Sequence, residues 1–177
     1  RSLLPVILEA AQKVSEQQPG VQFILSQADS VDSTLLQQYL DQSSLPITVI
    51  KSQPYDVIQC CDAVLTSSGT STLEVALLGV PMVIVYKLSG LTYWLARLLI
   101  RIPFIGLPNI IAGRGIVKEF IQHQATASAL SSELIKILID TEYSKQICND
   151  LNQVKEQLGE GGGSTNMAKL AAELLEQ

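Results

Sequence analysis

Five hydroxyl side chains surround one glycine in the stretch LTSSGTSTLE, between an apolar strand-like run and a helical pattern. The hydroxyls belong to Ser67, Ser68, Thr70, Ser71 and Thr72, and the glycine is Gly69. The start of a helix presents unpaired N–H groups and a partial positive charge, which favour phosphate oxygens. Glu74, one turn later, could accept hydrogen bonds from the two hydroxyls of a ribose. This stretch is therefore a candidate site for a nucleoside diphosphate.

The same residues allow a purely structural interpretation. Ser71 and Glu74 have the spacing of a capping box, in which the serine accepts from the third helical N–H and the glutamate reaches back. Capping leaves Ser67, Ser68 and Thr70 without a role. The residue pattern by itself leaves capping and ligand binding both open.

The pattern around this loop predicts alternating strands and helices. The predicted strands are VQFILS, ITVI, AVLT and MVIVY, and the predicted helices between or before them cover residues 2–18, 33–42, 55–61 and 71–79. We expect Asp32 or Ser33 to cap the second of these helices. Alternation of this kind indicates right-handed crossovers and an α/β, Rossmann-like parallel sheet flanked by helices. The Ser67 to Thr72 loop would then lie at the carboxyl edge of the sheet, where such folds bind ligands.

The chain after Tyr86 is predicted to be helical throughout. The expected helices cover residues 91–102, 115–122, 128–139, 143–158 and 164–175, and the GEGGG run at 159–163 is a flexible joint without the Lys of a P-loop. A length of 177 residues with 47% hydrophobic residues fits one domain spanning residues 1–177. The chain opens on a helix, so we expect a preceding strand and an N-terminal half in the full protein.

Charge and cysteine content exclude several classes. The net charge of −5 argues against nucleic acid as the main partner. Three cysteines without ligand-like spacing indicate a reducing, cytoplasmic compartment, and no residue cluster indicates a metal or cofactor. The single histidine, His123, is expected at a helix end or on the surface, because no nucleophile pattern surrounds it.

One section of the chain is basic although the whole is acidic. Residues 75–118 contain no Asp or Glu and five Lys or Arg residues. The segment LTYWLARLLIRIPFIGL is too short and too charged to span a bilayer, but as a helix it would separate apolar residues from cations. Its candidate membrane or acyl-chain contacts are Tyr93, Trp94, Arg97 and Arg101. A helix packed on its own domain, with both arginines in solvent, fits the pattern equally well.

Four motifs resemble those of the lipid-A-disaccharide synthase family. They are Ser-Gly-Thr-x-Thr-Leu-Glu at 68–74, Pro-Met-Val-x-x-Tyr at 81–86, Leu-Thr-Tyr-Trp-Leu-Ala-Arg at 91–97 and Leu-Pro-Asn-x-x-Ala-Gly-Arg at 107–114. The similarity runs almost continuously from Asp62 to Gln122. The resemblance implies the C-terminal, nucleotide-sugar-binding half of a GT-B glycosyltransferase. Gly115 departs from the family pattern, in which many relatives have Glu, so it receives no role.

The resemblance also implies substrates and site residues. The reaction would transfer a 2,3-diacylglucosamine unit from UDP-2,3-diacylglucosamine to lipid X, releasing UDP in lipid A biosynthesis. The implied UDP-sugar site consists of Ser67, Ser68, Gly69, Thr70, Thr72, Glu74 and Asn109. No catalytic residue is assigned here, because the general base is expected in the N-terminal half, and no metal is needed. We expect peripheral association with an anionic inner-membrane surface on the cytoplasmic side, and a homodimer through the C-terminal helices.

An alternative function is a non-catalytic module of the same α/β fold. Such a module would present the 91–102 helix to a membrane surface or a protein partner. A nucleotide-sized cleft at Ser68, Glu74 and Asn109 would distinguish the transferase from the module.

Overall fold

The computed structural model describes residues 3–67, 69–87 and 103–159. Within these residues five strands alternate with helices along the chain. The strands are β1 (Phe23–Gln27), β2 (Ile47–Lys51), β3 (Val64–Ser67), β4 (Met82–Tyr86) and β5 (Lys118–Ile121). The helices are α1 (Leu4–Gln17), α2 (Ser33–Leu40), α3 (Pro54–Gln59), α4 (Thr70–Leu77), α5 (Leu107–Ala112), α6 (Ala127–Ile139) and α7 (Thr141–Leu158), with a 3₁₀ turn at Gln122–Gln124. The predicted α/β class is confirmed.

All strand pairs are parallel, and they form two sheets. In one sheet β1 pairs with β2, with Phe23 opposite Ile47. In the other, β4 lies between β3 and β5, with Leu65 opposite Val83 and Ile84 opposite Glu119. We predicted one continuous sheet, but the described strands do not connect β1 to β3.

Helices cover both faces of the three-stranded sheet. Residues 82–85 of β4 are each completely buried, so successive side chains on opposite faces are both shielded from water. Helices α1 and α6 pack on one another, and α6 also contacts β4 and β5. A second group consists of α3, α4, α5 and α7, in which α4 contacts β3. The core therefore has a strand layer between two helix layers.

The predicted strand and helix positions are mostly confirmed, with two differences in the second half of the chain. Residues 115–122 were predicted to be helical, but Lys118–Ile121 form strand β5. Their apolar spacing is compatible with a helix, and pairing with the free edge of β4 decides in favour of a strand. The short helix α5, which has a proline in its first turn, was not predicted.

Side-chain caps fix three helix starts. Asp32 accepts hydrogen bonds from the N–H groups of Thr34 and Leu35, which confirms the predicted cap of α2. Thr126 and Asp140 cap α6 and α7 in the same way.

Several predicted features lie outside the described residues. These are Ser68, the helix at 91–102 with Tyr93, Trp94, Arg97 and Arg101, and the helix at 164–175 with its predicted dimer contact. Among the residues that are described, no helix is long and apolar enough to cross a membrane.

An ion pair fastens the loop after α5 to helix α7. Arg114 donates from Nη2 to Asp150 Oδ1 at 2.7 Å and from Nη1 to Asp150 Oδ2 at 3.2 Å. The Asp150 side chain is 6% exposed, and Gln146 also donates to it at 3.1 Å. The hydrogen bonds from Arg114 lower the pKa of Asp150, with a smaller contribution from Gln146, although burial opposes them.

This pair predicts a pH-dependent difference between variants. A carboxyl group whose folded pKa is lowered stabilises the fold above its unfolded pKa, and the contribution disappears as the pH falls through the folded pKa. We expect Arg114→Met to have a lower urea midpoint of unfolding than the parent protein at pH 7. This difference in midpoint should shrink below pH 3.8, the ordinary pKa of an aspartate carboxyl group. Lys145→Met is the control, because Lys145 and Glu142 form an exposed pair 3.5 Å apart. A gap that stays constant with pH would contradict the prediction.

Candidate functional site

The turn between β3 and α4 has a backbone conformation that favours glycine. Gly69 has a φ of 150° and a ψ of −164°, and it precedes the first helical residue, Thr70. A side chain at Gly69 would meet no atom within 4 Å, so the restriction comes from the backbone angle and not from crowding. Gly69 and Thr70 are exposed. The start of α4 is thus open to solvent and has no side chain at the capping position.

Some of the hydroxyls of this stretch hold the turn in place. Thr72 is 0% exposed, and its Oγ1 donates to the carbonyl of Gly69 at 2.7 Å. Ser71 Oγ lies 3.2 Å from Thr66 Oγ1 and donates to the carbonyl of Ser67 at 3.3 Å. The prediction that Thr72 contacts a phosphate is wrong for this conformation, because its hydroxyl is buried and already used. Ser67 and Thr70 remain at the surface.

The capping box at Ser71 and Glu74 is not formed. Helix α4 begins at Thr70, so Ser71 lies inside the helix and not at its cap. Glu74 does not reach back to the helix start; its Oε1 accepts a hydrogen bond from the Tyr55 hydroxyl at 3.4 Å. The carboxylate of Glu74 is half-buried and borders a cavity, which is compatible with the predicted contact to a ligand hydroxyl.

A cavity of about 930 Å³ separates the two sheets. Near the carboxyl ends of the strands it is lined by polar side chains from both sheets, among them Ser26, Asp29, Ser52, Ser71 and Glu74. The cavity lies between β1 and β3. On one side of it the strands follow in the order β1, β2, and on the other side in the order β3, β4, β5. In open parallel sheets a ligand binds outside the carboxyl ends of the strands at the point where the strand order reverses. Glu74 and the start of α4 occupy that point.

Asn109 lies elsewhere and has a structural role. It is 1% exposed, its Oδ1 accepts from the N–H groups of Ile116 and Val117, and its Nδ2 donates to the Val117 carbonyl and to Glu119 Oε1. These bonds use both donors and both acceptor positions of the amide. The prediction that Asn109 faces the nucleotide cleft is therefore wrong for this structure.

Glu119 completes this network from the neighbouring strand. Its carboxylate accepts from the N–H groups of Ile105 and Gly106 at 2.9 and 3.0 Å, and from Asn109 at 2.7 Å. A Cβ atom at Gly106 would lie 2.3 Å from Ile84 Cδ1, which would have to move, and 3.0 Å from this carboxylate. Asn109 and Glu119 together hold the segment that leads into α5 against β5.

Two residues of these sites were missed by the sequence analysis. The sequence pattern places Tyr55 only in a helical run, and its bond to Glu74 depends on the packing of α3 against α4, which leaves no local signal. Glu119 was assigned to a helix, and its contact with residues 105–109 depends on strand pairing. His123 is exposed in the 3₁₀ turn, which confirms its predicted surface position. In the part of the chain that is described, no group of His, Cys, Asp or Glu could hold a metal ion.

Comparison with known proteins identifies relatives over nearly the whole chain. The family model described as lipid-A-disaccharide synthetase matches residues 1–174. A lipid-A-disaccharide synthase from Syntrophotalea carbinolica is 46% identical over 168 residues, which are 95% of this chain and 43% of that protein. The Geobacter sulfurreducens synthase is 46% identical over 173 residues, or 98% of this chain and 45% of that protein. The chain thus spans less than half the length of these relatives.

A solved structure shares the fold at low sequence identity. A putative UDP-N-acetylglucosamine 2-epimerase from Listeria monocytogenes superposes with a TM-score of 0.59 at 12% identity. The match covers 84% of this chain and 35% of the epimerase chain. This likeness supports the α/β fold.

The buried amide of Asn109 predicts a stability defect on truncation. Asn109→Ala leaves the N–H groups of Ile116 and Val117 without their acceptor, so we expect a loss of roughly 3 kcal/mol in the free energy of unfolding. Urea unfolding measures this loss, with the exposed Asn149→Ala as the control. If Asn109→Ala instead leaves the stability unchanged and weakens nucleotide binding, Asn109 belongs to the ligand site.

Proposed function

Because the chain belongs to the lipid-A-disaccharide synthase family, we propose that it forms the part of the enzyme that binds the UDP-sugar donor. The full enzyme would transfer 2,3-diacylglucosamine from UDP to lipid X, and this chain would bind UDP weakly without catalysing transfer. The observation that carries the proposal is the open start of α4 beside Glu74, at the reversal point of the strand order.

The proposed contacts follow from the chemistry of each group. The exposed backbone at Gly69 and Thr70, with the hydroxyls of Ser67 and Thr70, would receive the diphosphate, because helix starts favour anions. The Ser68 hydroxyl is proposed for the same role from the sequence motif alone. Glu74 would accept from the ribose hydroxyls, with Tyr55 holding one carboxylate oxygen. Thr72 would support the site by donating to the Gly69 carbonyl.

Stabilising a diphosphate leaving group is the chemical contribution that these residues allow. As the sugar–phosphate bond breaks, negative charge grows on the UDP oxygens, and fixed donors at the helix start would stabilise it. Deprotonating the acceptor hydroxyl requires a separate base. We propose that this base lies in the part of the full protein that the relatives carry beyond the matched region.

The ribose contact gives the sharpest test of this site. We expect isothermal titration calorimetry to show that the protein binds UDP more tightly than 2′-deoxy-UDP. Glu74→Gln should weaken UDP binding about tenfold, which corresponds to a loss of roughly 1.4 kcal/mol in binding free energy. The preference for UDP over the deoxy analogue should also disappear in Glu74→Gln.

A matched control is available at Glu133, which is not part of the cavity lining. Glu133 accepts a hydrogen bond from the Tyr143 hydroxyl at 2.5 Å, so it repeats the carboxylate and tyrosine pair away from the cavity. Glu133→Gln should leave UDP binding unchanged. No heat with millimolar UDP, for a folded protein, would remove the nucleotide assignment.

We also propose contact with an anionic membrane surface through residues 91–102. The support is compositional: residues 75–118 contain five cations and no acidic residue, and the proposed substrates carry acyl chains.

Vesicle flotation tests the membrane proposal. We expect more protein to float with vesicles containing anionic lipid than with neutral vesicles, and Arg97→Glu with Arg101→Glu to abolish the difference. The control variant, Lys145→Glu with Lys155→Glu, makes the same change in net charge at exposed positions of α7. It should keep the preference for vesicles that contain anionic lipid. Equal flotation of the Arg97→Glu/Arg101→Glu variant and the parent protein would contradict the proposal.

A further inference from the structure

Tyr55 is the one exposed aromatic side chain in the part of the chain that the structure describes. It is 53% exposed, whereas the other described tyrosines and phenylalanines are all partly buried. Tyr55 lies in the first turn of α3, and the following residues Val57 and Ile58 are buried and anchor this helix in the core. The helix is therefore fixed, and the apolar faces of the Tyr55 ring are available for a further contact.

The Tyr55 ring stands at the rim of the cavity. Its chain neighbours Ser52, Pro54 and Ile58 line the cavity, and so does Glu74, whose Oε1 lies 3.4 Å from the Tyr55 hydroxyl. Helix α3 contacts both β1 and α4, and these two elements border the cavity from opposite sheets. The ring is thus placed beside the polar end of the cavity, within reach of a ligand that occupies this end.

The hydroxyl of Tyr55 uses little of what this side chain offers. Its hydrogen bond to Glu74 is exposed and, at 3.4 Å, long for an O–H donor, so it contributes little to stability. The bond does set the direction of the ring, because the hydroxyl is attached directly to it. A tyrosine also has only two side-chain torsions, so holding its ring in one place costs little conformational entropy. The ring is a flat apolar surface that extends from the carboxylate of Glu74.

The covalent structure of a nucleotide places its base near the same carboxylate. In the proposed function Glu74 accepts from the ribose hydroxyls, and the base is attached to the ribose carbon next to the one that carries the 2′ hydroxyl. The diphosphate is attached on the other side of the ribose. With the diphosphate at the start of α4, the base therefore points away from Gly69 and remains close to Glu74. The base and the Tyr55 ring are then neighbours, because both extend from one carboxylate.

We propose that the ring of Tyr55 is the surface on which the nucleobase of the donor stacks. This inference rests on the proposed function and adds a base contact to the ribose and diphosphate contacts. Planar bases stack on aromatic side chains, and the gain is similar for different bases because each of them has a π face. Tyr55 therefore contributes affinity for a nucleoside diphosphate over a ligand without a base, and it does not select uracil from other bases.

Two ligands separate the base contact from the rest of the site. One is UDP, and the other is methyl β-ribofuranoside 5′-diphosphate, in which a methoxy group replaces uracil. We expect NMR titration to show that Tyr55→Ala weakens UDP binding roughly tenfold and leaves the affinity for the base-free ligand unchanged. Tyr55→Phe keeps the ring and loses the bond to Glu74, so it should bind UDP within about threefold of the parent protein.

The same titration gives a direct signature of stacking. Protons that lie over the face of an aromatic ring shift upfield, so the H5 and H6 signals of uracil should move upfield on binding to the parent protein and to Tyr55→Phe. With Tyr55→Ala this upfield shift should be absent. Tyr39→Ala is the control, because Tyr39 is a partly buried tyrosine of α2 outside the cavity lining, and it should bind both ligands as the parent protein does. Urea unfolding of each variant checks that it is folded.

Three results would overturn the base contact while the parent protein still binds UDP. The first is UDP binding by Tyr55→Ala that equals that of the parent protein. The second is an equal loss of affinity for both ligands in Tyr55→Ala, because Tyr55 would then act only through Glu74. The third is the absence of an upfield shift of the uracil protons on binding to the parent protein. Failure of the parent protein to bind UDP at all is a separate outcome, which removes the proposed nucleotide site and the base contact together.

Discussion

A parallel strand is fully shielded from water only when it has a backbone partner at each edge and apolar cover on each face, and the arrangement of the described strands depends on this condition. β4 meets it completely, since β3 and β5 lie beside it and helices lie above and below. β1 and β3 meet only part of it, because their facing edges are open to a cavity of about 930 Å³. The cavity lies between the two sheets, and Ile24 and the candidate-site residues Ser71 and Glu74 border it.

The candidate site uses its hydroxyl residues in two ways. Thr72 and Ser71 stabilise the turn by binding the carbonyls of Gly69 and Ser67, and this leaves the start of α4 exposed with Glu74 beside the cavity. Gly69 supplies the backbone angle that the turn needs. A rigid, open helix start is suited to a diphosphate because its donors are already oriented before the ligand arrives. The structural interpretation of the motif therefore holds for Ser71 and Thr72, and ligand binding by Ser67 and Thr70 stays a prediction.

The Leu-Pro-Asn motif has a different physical role from the one its sequence suggested. Asn109 and Glu119 form a buried polar network that satisfies the backbone at residues 105, 106, 116 and 117. Such a network is costly to leave incomplete, which constrains both residues strongly without any contact to a ligand. Arg114, in the same motif, fastens the following loop to α7 through Asp150.

The sequence by itself determined the local elements, because periodicity, caps and turn residues act over a few positions. It predicts β1 to β4, the Asp32 cap and the glycine turn at Gly69. The same local patterns, with the family motifs, located Glu74 and the loop at the end of β3. Tertiary structure alone decided that residues 118–121 form a strand, since their apolar spacing suits a helix and only the free edge of β4 selects the alternative. It also decided that the amide of Asn109 is turned inward and that Glu74 bonds Tyr55, because hydrogen-bond partners distant in sequence leave no local signal.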